Sequence, residues 1–242
     1  MKARIQYLLQ KLFGLETYLF LFSWFKIKTL KQDKGENDFF HFLSLIEEKP
    51  NILDIGANIG IMSYHLCQLK GSRVYSFEPI PQNIKTLKRI RQFFDLENMH
   101  IQEMALGNSA GHINMVMPVV ENVKKQGLSH VLTPEIKDFN EGLTFEVPIF
   151  RLDDLSELKD LKISAIKMDV ENYEYQALLG AVELLEADKP IIYCELWDNE
   201  NRTNCFALLG DMGYSVKVLE KGSLTDFNTK VHTTQNFFFV NE

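Results

Sequence analysis

Cysteine is scarce in this chain of 242 residues: there are three, Cys67, Cys194 and Cys205, an odd number with no pair at metal-ligand spacing. A disulfide framework is therefore disfavoured. The six histidines are scattered and include no His-x-x-x-His pair, so a structural zinc site is disfavoured as well. Long apolar runs are missing. Tyr18-Leu19-Phe20-Leu21-Phe22-Ser23-Trp24-Phe25 falls far short of the roughly 20 residues that span a bilayer. No small-residue cleavage site follows it, which disfavours a signal peptide, and a cytoplasmic protein is expected. No basic stripe with interleaved aromatics follows residue 40, and no repeat or low-complexity segment is present. With a formal net charge of −7, the chain is a poor partner for nucleic acid.

What is present describes a globular protein. Hydrophobic residues make up 45% and charged residues 24%, and the length suits one α/β domain with a large core and an appendage. Charge is unevenly divided. Residues 1–34 carry Lys2, Arg4, Lys11, Lys26, Lys28, Lys31 and Lys34 against Glu16 and Asp33, a balance of +5 that leaves −12 on the remainder. Ile5, Leu8, Leu9, Leu12 and Phe13 recur at helical spacing in the same segment. Two fates are open to it: packing on the domain as an extra layer, which is the simpler, or resting on an acidic membrane surface.

The decapeptide Asn51-Ile52-Leu53-Asp54-Ile55-Gly56-Ala57-Asn58-Ile59-Gly60 carries the most functional information. A short apolar strand reaches Asp54 and two glycines, and a helical pattern through Ile61, Met62, Tyr64, His65, Leu66 and Leu69 follows at once. Such a turn lets a ligand lie against bare backbone at a helix N-terminus. The dinucleotide fingerprint needs glycines at its first, third and sixth positions; here they stand first and fifth. An NAD-dependent oxidoreductase fails on that spacing. An acid two residues before the first glycine fits S-adenosylmethionine (SAM), whose amino-acid end offers an ammonium to a carboxylate and a carboxylate to free backbone N–H groups. The plainer alternative is a generic turn whose glycines only permit close helix–strand packing.

A second acid lies at the offset where such folds meet a cofactor ribose. Arg73-Val74-Tyr75-Ser76-Phe77 reads as a strand, and Pro79 stops it so that Glu78 is left at its edge. Further strands are expected around Ile101 and over 163–169, 190–196, 214–219 and 236–240, with helices over 173–187 and 200–211. Strands alternating with helices indicate a doubly wound, mostly parallel Rossmann-like sheet, here ending in an antiparallel hairpin closed by a polar turn at 221–229. The rhythm breaks between Gly107 and Arg151. Residues 112–150 read as an insertion, a hairpin or flap beside the cofactor mouth, with 120–143 polar and loop-like. The organisation expected is an N-terminal helical segment, 1–37, and one domain, 38–242.

Candidate chemistry gathers at the carboxyl ends of the strands. Asp169, Glu171 and Glu174 crowd one turn, and so many acids must bind a ligand or a cation, or take up a proton. For one of the two glutamates a helix N-terminal role is equally suitable. Glu195 ends the next strand and is a second candidate base. Lys167, inside its strand, is expected to pair with an acid, because a lone buried ammonium is costly. His130 could reach the cleft as a base or be a solvated loop histidine, and Asn236 ranks low.

The blocks Leu53-Asp54-Ile55-Gly56-Ala57-Asn58-Ile59-Gly60, Phe77-Glu78-Pro79, Ala105-Leu106-Gly107-Asn108 and Lys167-Met168-Asp169-Val170-Glu171-Asn172-Tyr173-Glu174 resemble, in order, those of the FkbM-type SAM-dependent methyltransferases. The resemblance spans about residues 38–240, and its Asp-x-Glu-x-x-Glu pattern is its most specific part. It implies a cofactor set of Asp54, Gly56, Ala57, Asn58, Gly60, Glu78, Pro79, Glu103, Met104, Ala105 and Asp169, with Asp169 and Glu171 nearest the reacting methyl. It also implies O-methylation of a hydroxyl on a sugar, glycan precursor or secondary metabolite. A module that keeps the pocket without transferase activity is the alternative, but the acids at the strand ends weigh against it. The family usually has glycine where this chain has Asn172. Asparagine tolerates left-handed backbone best among the other residues, so the turn is expected to survive.

Overall fold

The computed structural model describes residues 2–134, 136 and 138–241; Glu135 and Lys137 of the insertion, with Met1 and Glu242, lie outside the described residues. Helices α1 (Lys2–Phe13), α2 (Leu15–Thr29) and α3 (Asn37–Leu45) precede the first strand. The main alternation is then β1 (Asn51–Ile55), α4 (Ile61–Cys67), β2 (Arg73–Phe77), α5 (Pro81–Phe93) and β3 (Met99–Gln102). The inserted segment holds β4 (Ala105–Leu106), β5 (Gly111–Val120), β6 (Val123–Lys124), β7 (His130–Val131) and β8 (Gly142–Phe150). The chain returns with β9 (Ile163–Met168), α6 (Glu174–Leu179), α7 (Val182–Asp188), β10 (Ile191–Glu195), α8 (Glu200–Asp211), β11 (Tyr214–Glu220), β12 (Ser223–Asp226) and β13 (Asn236–Asn241).

Eight strands form the central sheet in the order β12-β11-β13-β10-β9-β1-β2-β3. Strands β3, β2, β1, β9 and β10 are parallel, whereas β13 runs antiparallel to both β10 and β11. The chain moves outward from β1 to β3 and then resumes at β9 on the other side of β1. The β1–β9 junction is thus the switch point at which such sheets bind ligands. Alternate residues of each strand serve opposite faces. Leu53, Ile55, Phe77, Phe237 and Phe239 pack with α6–α8, while Ile52, Val74 and Phe238 pack with α2–α5. The result is three layers around a doubly wound sheet.

Three local expectations need correction. The helix expected over 173–187 is two short helices. The Asp153 N–H donates to the Gly180 carbonyl at 2.9 Å, and the Asp153 carboxylate accepts from the N–H groups of Glu183 and Leu184, so α7 begins anew. The polar turn at 221–229 contains the edge strand β12, paired with β11. In the insertion, β5 pairs with β8 over Gly111↔Ile149 to Pro118↔Gly142, and residues 120–143 include β6, a 3-10 turn at Gln126–Leu128 and β7. Ile80, Ala105, Met115, Met117, Val131, Val147 and Ile149 give this second sheet a small core of its own.

The N-terminal helices differ from one another. Helix α2 buries Tyr18, Leu19, Phe20, Ser23 and Ile27, and the Ser23 hydroxyl donates to the Ile59 carbonyl at 2.8 Å. In α3, Phe39 and Phe42 are fully buried, and Phe42 stacks on Tyr193 with ring centres 5.4 Å apart. Each such ring contributes about 1.5–3 kcal/mol of burial. Helix α1 instead leaves Ile5, Leu8 and Leu12 at the surface. No helix among the described residues is long and apolar enough to cross a membrane.

Candidate active site

The switch point is built on a contact between β1 and β9 that leaves no room for a side chain. A Cβ on Gly56, where φ is +80°, would lie 1.8 Å from the Asp169 carbonyl oxygen, so only glycine fits. Beneath this contact lies a buried ion pair. The Lys167 ammonium donates to the Gly56 carbonyl at 3.0 Å and sits 3.6 Å from Asp54 Oδ1 and 3.9 Å from Asp169 Oδ2. Burial would pull its pKa down, but Asp54, Asp169 and Glu195 outweigh that and hold it above the ordinary value. Asp54 is fully buried and also accepts from Ser63 Oγ at 2.5 Å. Burial pushes its pKa up against the pull of Lys167 and Ser63. The pairing expected of Lys167 is thus present, and it accounts for Asp54. That carboxylate fastens β1 to β9 under the turn and does not line the cavity above.

The turn is more self-contained than expected. The N–H groups of Gly56 and Ala57 donate to the Phe77 carbonyl at 3.1 and 2.9 Å, and that of Gly60 donates to the Ala57 carbonyl at 2.9 Å. The Asn58 N–H donates to Glu78 Oε2 at 2.8 Å. These four amides are therefore not free for a ligand carboxylate. Ala57 is buried in the core, and Gly60 packs against Leu87 of α5. Both support the turn from behind.

Above the turn is a cavity lined by Gly56, Asn58, Glu78, Pro79, Asn83, Met104, Ala105, Asp169, Glu171 and Tyr173, among others. The insertion closes its far side through Met115, Gln126, Gly127, Ser129 and Val131. Glu78 is 4% exposed; its Oε1 accepts from the Ile80 N–H at 2.8 Å and from Asn83 Nδ2 at 3.2 Å. Burial nevertheless pushes its pKa up to about 7. Glu103 stands outside, exposed and paired with Lys88. The walls thus combine a buried carboxylate at the end of β2 with an apolar slot of Phe77, Ile80, Met104, Leu106 and Met115. A carboxylate acceptor beside an apolar slot fits a ligand with hydroxyl donors and a flat ring system.

The turn after β9 sorts its acids. Glu174 is 1% exposed; its Oε1 accepts from the N–H groups of Val170 and Asn172 at 3.0 and 3.2 Å, and its Oε2 accepts from Asn201 at 2.6 Å. It is the acid that holds the turn. Glu171 and Asn172 are thereby fixed in left-handed backbone, at φ 53° and 74°. Asn172 keeps the conformation that glycine would adopt, and its side-chain oxygen accepts from Asn199 Nδ2 at 2.6 Å. Glu171 points into the cavity. Burial, then the charges of Asp169, Glu195 and Glu174, push its pKa up to about 9. Glu195 faces a neighbouring cleft shared with Glu36, Lys167, Asp169, Tyr193 and Asn236, and burial and Asp169 raise it to about 7.

A further cavity on the other side of Glu171 is lined by His130, Asp138, Phe139, Asn172, Trp197 and Asn199. His130 is 4% exposed, so it is no solvated loop residue. Its ring nitrogens lie 2.9 Å from the Leu128 carbonyl and 3.0 Å from Asn140 Oδ1, so both are already engaged and a role as base is not favoured. The residues unforeseen at the site are Asn83, Tyr173, Trp197, Asn199 and those of the insertion other than His130. For Trp197, two residues past the candidate Glu195, sequence proximity was the available signal. Among the described residues, no three His, Cys, Asp or Glu side chains are grouped to hold a metal ion.

No curated protein matches the chain. Among solved structures, methyltransferase FkbM from Methylobacillus flagellatus shares 19% identity at a TM-score of 0.50, over 79% of this chain and 43% of that one. This chain therefore spans less than half the length of that protein, and the likeness is one of fold. A SAM-dependent O-methyltransferase from Thermotoga maritima aligns at 12% identity and a TM-score of 0.47, over 89% of this chain and 69% of that one. Fibrillarin from Aeropyrum pernix, crystallised with natively bound SAM, aligns at 12% identity and a TM-score of 0.45, over 80% of this chain and 67% of that one. The family model for the methyltransferase FkbM domain matches residues 54–219, well over half of the chain and the whole of the switch-point site. The chain belongs to the FkbM methyltransferase family.

Proposed function

We propose that the protein is a SAM-dependent O-methyltransferase whose acceptor is a hydroxyl of a sugar, a glycan precursor or a similar polyol. One observation carries this. Glu171 lines both the cavity bounded by Glu78 and the separate cavity bounded by Phe139, Trp197 and Asn199, so occupants of the two would meet at its carboxylate. When bound, SAM supplies an electrophilic methyl group on a sulfonium. Glu78 would hold its ribose hydroxyls, and the slot of Phe77, Ile80, Met104 and Met115 its ring system. The acids around the turn would face its positive charges. Trp197 and Phe139 offer flat faces to the C–H side of a sugar ring, and Asn199 and Asp138 offer polar partners to its hydroxyls. Glu171 is protonated in the ligand-free protein; the positive charge of the cofactor would favour its ionised form, which is suited to take the hydroxyl proton as the C–O bond forms, and Asp169 lies beside the Lys167 ammonium. The insertion, by walling the cavity, keeps water from the reacting carbon. A cytoplasmic location belongs to the same proposal. The three cysteines are buried free thiols, a state that a reducing compartment preserves.

The test incubates the protein with methyl-labelled SAM and a panel of free and nucleotide-linked sugars, reading methyl ethers by mass spectrometry. With an acceptor in hand, Glu171→Gln should lower turnover by about 10²–10⁴ while SAM affinity stays within a few-fold. If turnover is undiminished, Glu195 becomes the better base. If SAM binding is lost instead, Glu171 is a cofactor ligand.

A further inference from the structure

Helix α1 is mounted with its apolar side outward. Ile5, Leu8, Leu9, Leu12 and Phe13 lie within one broad stripe of the helix, and Ile5, Leu8 and Leu12 are 52%, 61% and 75% exposed. The side turned to the body is polar. Gln10 exchanges two hydrogen bonds with the backbone of Lys124, each 3.1 Å, and the Lys125 ammonium donates to Gln6 Oε1 at 2.8 Å. Had packing been its purpose, the leucines would face the protein and the glutamines the solvent. Arg4 and Lys11 are exposed together along one edge of the stripe. Helix α2 carries a second outward row, Leu21, Trp24 and Phe25, followed by exposed Lys28. The two acids of the segment are already paired, Glu16 with Lys85 at 2.5 Å and Asp33 with Lys26 at 3.1 Å. Among the described residues Arg4, Lys11 and Lys28 make no ion pair, and the molecule is acidic outside this segment.

We propose that α1 lies in the plane of an anionic lipid surface, its leucine stripe among the acyl chains and Arg4 and Lys11 at the headgroups. Charge complementarity selects this occupant. A basic edge along an apolar stripe matches a negatively charged bilayer. A second copy meeting the same face would set like charges together. Because α1 is bonded to Lys124 and Lys125, directly before Gln126 and Gly127 of the cavity wall, lipid contact would hold the cavity rim close to the surface.

Cosedimentation of the full chain with phosphatidylcholine vesicles, with and without phosphatidylglycerol, tests this at two salt concentrations. Binding is expected only with phosphatidylglycerol and should weaken as salt rises. Leu8→Asp together with Leu12→Asp should reduce vesicle affinity at least about tenfold with an unchanged melting temperature, since both side chains are already in water. Arg4→Glu with Lys11→Glu should abolish the preference for anionic lipid. Failure of the folded parent protein to sediment with anionic vesicles at low salt would overturn the proposal. So would a leucine double variant that binds as the parent does. A parent dimer in light scattering that the same variant converts to monomer would assign the stripe to a second copy instead.

Discussion

Lys167 faces Asp54, Asp169 and Glu195 from a strand interior, with a side-chain exposure of 4%. It offsets the charge of acids that could not otherwise share so small a volume, and its bond to the Gly56 carbonyl fixes the turn over which the cavity opens. Replacing it by methionine keeps the volume but leaves Asp54 buried without a cation. Lys167→Met should therefore destabilise the fold by about 3–5 kcal/mol, read by chemical denaturation. A loss under about 1 kcal/mol would mean that Asp54 is held neutral in the native protein. Roles at this scale were only partly legible in the sequence. Asp54 stands where a cofactor acid would, but Lys167 and Ser63 claim it, and a partner so distant along the chain leaves no local trace. Glu171 and Glu174 look alike in sequence. Only the fold shows that the carboxylate of Glu174 is consumed by the amides of Val170 and Asn172.

Sequence periodicity described β1 with its glycine turn and α4, β2 with Glu78, α8, and the strands β9, β10, β11 and β13, whose ends fall within a residue of expectation. Strands of two residues such as β4, β6 and β7 carry no periodicity and exist because β5 and β8 are there to pair with them. The break between α6 and α7 comes from Asp153, a tertiary contact. The inserted sheet matters most for function, since it supplies one wall of the cavity yet has only a small core. Strands β5 and β8 of the insertion should exchange amide hydrogens faster than β9 in the free protein and become protected when SAM and an acceptor are both bound. Equal protection of the two regions in the free protein would mean that the insertion is a fixed wall.

Over the whole molecule, the site stores unfavourable charge. The pKa of Glu171 is raised to about 9, and those of Glu78, Glu174 and Glu195 to about 7. A carboxyl with a raised pKa in the folded state binds more protons there than in the unfolded chain. Its stabilisation is complete below the ordinary value of 4.5 and is lost as pH rises through the folded value. The melting temperature of the ligand-free protein should therefore fall between about pH 5 and 9, and Glu171→Gln should flatten the upper part of that fall. A melting temperature that rises over the same range would contradict the charge assignment. A cationic ligand reverses the balance, since it favours the ionised acids. Binding should then stabilise the protein most at neutral to alkaline pH.

Calorimetric titration of SAM into the parent protein and into Glu78→Ala is the most direct test of the cavity as a methyl-donor site. One-to-one binding is expected in the parent, weakened in the variant by about 1–3 kcal/mol, the scale of a lost charged hydrogen bond. No binding in the parent, or the same affinity in both proteins, would contradict it.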